Sequence, residues 1–195
     1  MQCIIGKKLG MTTLFDEQKG ALNMTLIACV ENTVTLHRTA DKDGYAAVQV
    51  TTPFTKYTAM RREFRLDKKR TPPQEISQAL DAYPVGTTLS VGMFSVGDKV
   101  NVSGITKAKG FQGVVKRHGF KGAPASHGRK HDMRKPGSIG ATFPEHVVKG
   151  RRMAGRMGGV SFTVRNLAVA YVNADEGLIG VRGAVPGVNG RPVSI

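Results

Sequence analysis

Tryptophan is absent from this chain, and only eight phenylalanines and four tyrosines stand among its 195 residues. Proteins that hold single-stranded bases commonly stack them on aromatic side chains. A stacking platform is therefore not an obvious theme, and contacts to phosphate and folded shape are favoured. Cysteine is scarce as well. Cys3 and Cys29 are too few and too isolated for a Cys-x-x-Cys redox pair or a zinc site, and both read as buried thiols. No metal and no cofactor is expected. Long apolar runs are also missing: stretches such as Leu26 to Val30 fall far short of the about 20 residues that a membrane span needs. No basic amphipathic helix is evident either. Gly6, Lys7 and Lys8 interrupt the start before a signal peptide's apolar region could form, so the chain is expected to stay in the cytoplasm where it is made.

Acid is the remaining shortage. Fourteen Asp and Glu face twenty-nine Lys and Arg, a net charge of +15 that calls for a polyanionic partner. With membranes disfavoured, that partner is nucleic acid. The excess is concentrated: from Thr106 to Arg156 thirteen Lys and Arg stand against Asp132 and Glu145, a net of +11, leaving +4 for the rest. Four of the five histidines (His118, His127, His131 and His146) and nine of the 24 glycines share this segment. Within it, KGRRMAGRMGG (Lys149 to Gly159) packs four cations, four glycines and two methionines into eleven residues. Each glycine costs a helix roughly 0.8–1.0 kcal/mol relative to alanine. With neither strand alternation nor an apolar stripe, the stretch does not fold on its own account.

Outside the basic segment the chain reads as short strands: Thr25–Val30, Val34–Arg38, Ala46–Thr52, Thr87–Phe94, Lys99–Val102, Ser161–Arg165, Leu167–Asn173 and Leu178–Arg182. Their lengths and turn residues predict a small barrel. Asn173 to Gly177 predicts a hairpin between the last two of them, with Gly177 suited to a positive φ. One short helix is expected, over Gln74 to Ala82. The basic segment interrupts the strand series, so it must leave and re-enter the barrel as a long loop, and loops of that length are functional or disordered. Its glycines and prolines rule out a long helix while allowing close approach of backbone to a partner. The segment reads as an arm that becomes ordered against nucleic acid.

Chemical motifs are weaker. Gly104 to Arg117 mixes glycine and lysine without the spacing of a nucleotide-binding P-loop. Lys107, Lys109, Lys116 and Arg117 instead suit separate backbone phosphates, and a merely solvated basic loop is the competing reading. His127 and His131, four apart and followed by Asp132, raise a metal site or a metal-assisted nuclease. Pro and Gly nearby disfavour the helix such a pair needs, and Arg129, Lys130 and Arg134 would repel a cation. Contact with phosphate or ribose hydroxyls fits these histidines better. Ser126 and Ser138 have no evident triad partners.

Eight ordered stretches resemble one family: GKKLGMTTLF (Gly6–Phe15), GYAAVQV (Gly44–Val50), REFRL (Arg62–Leu66), GITKAKGFQGVVKR (Gly104–Arg117), SHG (Ser126–Gly128), RKPGSIGA (Arg134–Ala141), VKGRRMAGRMGG (Val148–Gly159) and GAVPG (Gly183–Gly187). The chain resembles the universal large-subunit ribosomal protein family called L-three, in its bacterial form. The resemblance implies a mainly β single ribosomal-protein domain over 1–195. Its core would be a six-stranded barrel of the translation-protein type, approximately 1–110 and 158–195. A long irregular basic RNA-binding extension, approximately 111–157, would reach through RNA toward the peptidyl-transferase region. Partners would be large-subunit ribosomal RNA and neighbouring large-subunit proteins, with no small-molecule substrate and no enzymatic activity, and a role in early subunit assembly is implied.

The RNA-binding set expected on both grounds is Lys7, Lys8, Lys107, Lys109, Lys116, Arg117, His118, Lys121, His127, Arg129, Lys130, His131, Arg134, Lys135, Ser138, Lys149, Arg151, Arg152 and Arg156. Two departures from the family stand out. Only PFTKYTAM separates Thr52 from Arg61, where bacterial relatives carry a longer basic insertion, so some contacts are expected to be missing there. Ala141 to His146 replaces a glutamine-containing stretch that some members methylate, so no such methylation is expected. The alternatives from other classes are a free RNA chaperone and a basic RNA-processing enzyme centred on the histidines.

Overall fold

The computed structural model describes residues 2–17, 20–66 and 73–195. In chain order the elements are β1 (Ile5–Asp16), β2 (Gly20–Ala28), β3 (Asn32–Arg38), α1 (Ala40–Asp43), β4 (Ala47–Pro53), β5 (Ala59–Arg65), α2 (Pro73–Asp81), β6 (Thr88–Leu89), β7 (Lys99–Ile105), β8 (Phe111–Gln112), α3 (Val114–His118), β9 (Gly155–Arg156), β10 (Ser161–Asn173), β11 (Leu178–Arg182) and β12 (Pro192–Ser194). The chain is mainly β. It divides into two compact units, one of residues 1–106 with 161–195 and the other of residues 107–160.

In the first unit six strands pair in the closed order β1, β12, β7, β10, β11, β2, every neighbour antiparallel. Closure leaves no unpaired edge in this ring. Inward residues such as Ile27, Val102, Val169, Ile179, Val181 and Val193 form one buried cluster, because alternate side chains of each strand point to the same face. A second sheet, ordered β5, β4, β3, β6, covers its own cluster around Val34, Val48, Val50 and Leu89. The strands near Val34 and Ala46, which the sequence assigned to one barrel, therefore belong to this separate sheet. Period-two alternation is the same in both sheets and cannot say which strand pairs with which.

Asn32 joins the start of β3 to β1. Its amide oxygen accepts from the Ile5 N–H at 2.9 Å, and its Nδ2 donates to the Ile5 carbonyl at 3.0 Å and the Val30 carbonyl at 2.6 Å. The side chain is fully buried, and these bonds offset the cost of removing the amide from water.

Several expectations need correction. The strand expected over Thr87–Phe94 pairs only at Thr88–Leu89, then gives way to a 3-10 turn over Val91–Met93. Val91 and Phe94 are both buried, and a spacing of three matches that turn. The strands expected at Ser161–Arg165 and Leu167–Asn173 are one strand, β10, whose register shifts between Val164 and Leu167. There Asn166 takes φ +58° and its N–H donates to Asn101 Oδ1 at 3.1 Å. β1, β5, β8, β9 and β12 were not foreseen. The hairpin at Asn173 to Gly177 does form, with Asn173 Oδ1 accepting from the N–H groups of Asp175 and Glu176 and Gly177 at φ +62°. It is followed by a further strand, β12. Both cysteines are free and buried.

Candidate nucleic-acid interface

The second unit, residues 107–160, has almost no interior. Val114 is its one buried residue, and every residue from Pro124 to Ala154 is exposed. Apolar burial, the main force in the first unit, therefore cannot fix this shape. Local backbone bonds do so at its base. β8 pairs with β9 through Phe111 to Arg156 and Gln112 to Gly155. The Lys109 N–H donates to the Met157 carbonyl at 2.9 Å, and the Met157 N–H donates to the Gly110 carbonyl at 2.9 Å.

The glycines of KGRRMAGRMGG are what permit this closure. Gly158 adopts φ +73°, and a Cβ there would run into the Lys107 carbonyl oxygen. At Gly155 a Cβ would lie 2.5 Å from Arg117 Nη1. The guanidinium occupies that space and donates from Nη1 to the Met153 carbonyl at 2.7 Å, while His118 Nε2 lies 3.0 Å from the same oxygen. Arg117 and His118 close the short helix α3, which the sequence reading did not resolve within the arm. Cations in the last turn suit the negative end of a helix.

Beyond the base, contacts are polar and sparse. Arg151 Nη2 donates to the Ser138 carbonyl at 2.7 Å, and Ser138 Oγ donates to the Gly140 carbonyl at 2.7 Å. Lys135 Nζ sits 2.8 Å from Asp132 Oδ1, and that hydrogen bond holds the Asp132 carboxyl below its usual range. An open cleft of about 630 Å³ is lined by Phe120, Lys121, Arg129, Asp132, Lys135 and Gly137. Three cations and one committed acid around it leave a positive concavity of the kind that attracts phosphate.

The sequence-predicted residues separate accordingly. Lys107, Lys109, Lys116, Lys121, His127, Arg129, Lys130, His131, Arg134, Lys149, Arg152 and Arg156 are all exposed on this unit. Arg117, His118, Lys135, Ser138 and Arg151 also take part in the internal clasps just described, although a guanidinium with five donors retains capacity beyond one bond. Lys7, in the first unit, is exposed. Lys8 departs from the surface expectation: it is 8 % exposed, and its Nζ donates to the carbonyls of Val185 at 2.7 Å and Gly187 at 3.0 Å. It ties β1 to the loop after β11, because a buried amine needs acceptors. Neighbouring Lys7 and Lys8 point to opposite faces of β1, so of the two only Lys7 stands on the surface. What the sequence reading missed is the Met153 carbonyl, which side-chain chemistry cannot flag.

His127 and His131 do not make a metal pair. His127 takes φ +60°, outside any helix, so the i,i+4 spacing does not bring the imidazoles onto one face. Among the described residues no group of three or more His, Cys, Asp and Glu is placed to hold a metal ion. No helix among them is long and apolar enough to cross a membrane.

The family model of ribosomal protein L3 matches residues 51–189. Curated relatives extend the similarity over nearly the whole chain. The large ribosomal subunit protein uL3 of Clavibacter michiganensis subsp. michiganensis is 45% identical, covering 98% of this chain and 92% of its own length. That of Mycobacterium marinum is also 45% identical, with 98% and 94% covered. The uL3 of Chloroherpeton thalassium is 41% identical over 100% of this chain and 98% of its own.

Proposed function

The chain belongs to the ribosomal protein L3 family, and from that premise we propose that it is an RNA-binding structural component of the bacterial large ribosomal subunit. Its relatives carry the name of a ribosomal protein, not an enzyme. In this reading residues 107–160 are the RNA-binding extension, running between RNA segments toward the peptidyl-transferase region. The six-stranded ring is a translation-protein-type barrel that anchors it beside other large-subunit proteins. The particle resides in the cytoplasm, and the protein acts early in its assembly.

The observation that carries this reading is a segment of net charge +11 with a single buried side chain, Val114. Such a segment repels itself and has nothing apolar to hold it. RNA supplies both missing terms: phosphates neutralise Lys and Arg with release of counterions, and the ordering entropy is met on binding. Glycine lets the backbone approach RNA closely, arginine gives directed hydrogen bonds, and methionine fills irregular gaps. Distant RNA segments are thereby fixed relative to one another without any bond being made or broken.

The test is gradient sedimentation of native lysate at moderate and high salt, with the chain followed by mass spectrometry. One copy per large subunit, retained through a high-salt wash, is the expected result. Recovery in the light fractions, or stripping by modest salt, would refute it and favour a free RNA chaperone.

A further inference from the structure

The second sheet carries a charged surface outside the 107–160 unit that the sequence reading left unassigned. Its edge strand β5 reads Ala-Met-Arg-Arg-Glu-Phe-Arg and pairs with β4 on one side only. Successive side chains alternate between faces. Met60 and Phe64 pack on the buried cluster. Arg61 and Glu63 lie on the opposite face, in register with Thr51 and Gln49 of β4. Arg62 shares the inner parity yet is exposed, because it stands at the sheet's edge. Arg61 and Arg62 therefore straddle the edge. Among the described residues neither is in an ion pair.

The one acid of this strand is already committed. Glu63 accepts from the Tyr45 hydroxyl at 2.7 Å and from Arg38 Nε at 3.2 Å. Its charge is thus spent inside the sheet, and Arg65 lies over the Tyr45 ring at 5.0 Å, leaving Arg61 and Arg62 as the outward-acting charges. At the adjoining β4–β5 turn, Tyr57 is 86% exposed, the most of any large hydrophobic side chain among the described residues of the first unit. Lys56 Nζ lies 5.6 Å from the centroid of its ring. The turn is held by a backbone bond from the Phe54 N–H to the Thr58 carbonyl at 3.0 Å and by Thr55 Oγ accepting from the Thr58 N–H at 3.0 Å. A rigid turn thus presents an aromatic ring and a cation side by side, with two more cations along the same edge. An exposed tyrosine among cations suits an unpaired base flanked by phosphates.

We propose that the β4–β5 hairpin is a second RNA-contact surface, in which Lys56, Arg61 and Arg62 engage backbone phosphates and Tyr57 stacks on an unpaired base. The inference rests on the ribosomal reading above and adds a contact separate from the extension. The shortened 53–61 stretch keeps, on this view, the contact that its brevity suggested was lost. Edge arginines can also serve simply to block strand-to-strand association, and the experiment separates the two roles.

Full-length chain is titrated with purified bacterial large-subunit ribosomal RNA over a range of salt. The triple variant K56Q/R61Q/R62Q should lower the slope of log affinity against log salt by about 2 to 3, since each phosphate contact contributes about 0.7–0.9. The double variant R61K/R62K should keep the wild-type slope. Tyr57→Ala should weaken binding roughly tenfold at every salt concentration with the slope unchanged. Should the triple variant fold poorly, Lys56→Gln alone should still remove about 1 from the slope. Unchanged slope and affinity in these variants would overturn the proposal. Unchanged RNA binding with self-association would assign the arginines to edge protection, and unchanged RNA binding with loss of a neighbouring protein from reconstituted subunits would assign the face to a protein. Failure of the wild-type chain itself to bind this RNA would instead sink the ribosomal reading.

Discussion

Residues 1–106 with 161–195 enclose two hydrophobic clusters, whereas residues 107–160 bury only Val114. The first unit carries a net charge of +4 beyond the Thr106 to Arg156 segment, and that segment carries +11. One part of the molecule is held by apolar surface removed from water. The other is held by glycine-permitted backbone bonds and a few side-chain clasps, against its own charge. The lesson is a division of labour: the first unit supplies stability, and the second, in the function proposed above, supplies a shape that RNA completes.

Ile179→Ala, at a fully buried ring position, should destabilise the first unit by about 2–5 kcal/mol in urea unfolding. The salt slope of RNA binding should stay as it is. Next is Asn32→Ala, which strands the Ile5 N–H and two carbonyls between the sheets and should cost about 2–3 kcal/mol by the same assay. Gly158→Ala should act on the other unit alone. A left-handed alanine costs roughly 1–2 kcal/mol, added to a clash with the Lys107 carbonyl. Amide exchange at Lys109 and Met157 should accelerate while the unfolding midpoint of the first unit holds.

The smallest effect at neutral pH belongs to the buried thiols. Burial pushes Cys3 up to about 11 and Cys29 up to about 12 from an ordinary 9.0. The folded state keeps these protons where the unfolded chain releases them, so their contribution to stability is intact below about pH 9 and lost as pH rises toward 11 and 12. The urea midpoint should therefore fall between pH 8 and pH 10, and fall less in Cys29→Ala.

The sequence made the strands at β2, β3, β4 and β11 legible, because each is a short run rich in apolar and β-branched residues bounded by turn residues. It could not divide them between the ring and the second sheet, since pairing partners such as Ile5 with Ser194 are set by distant chain. The distinctness of the 107–160 unit was legible from charge and glycine content. Its base was not: the clasp of Arg117 on the Met153 carbonyl uses a backbone acceptor that every residue type possesses. Lys8 misled for a related reason, because a lysine that donates to buried carbonyls looks in sequence like one on the surface.

The most direct measurement is hydrogen exchange of the chain alone and within the large subunit. Rapid exchange over residues 124–153 in the free protein and strong protection of the same residues in the subunit, with the ring strands protected in both, is the expected result. Protection of 124–153 without RNA, or fast exchange there inside the subunit, would contradict the claim that RNA completes what the chain's own packing leaves open.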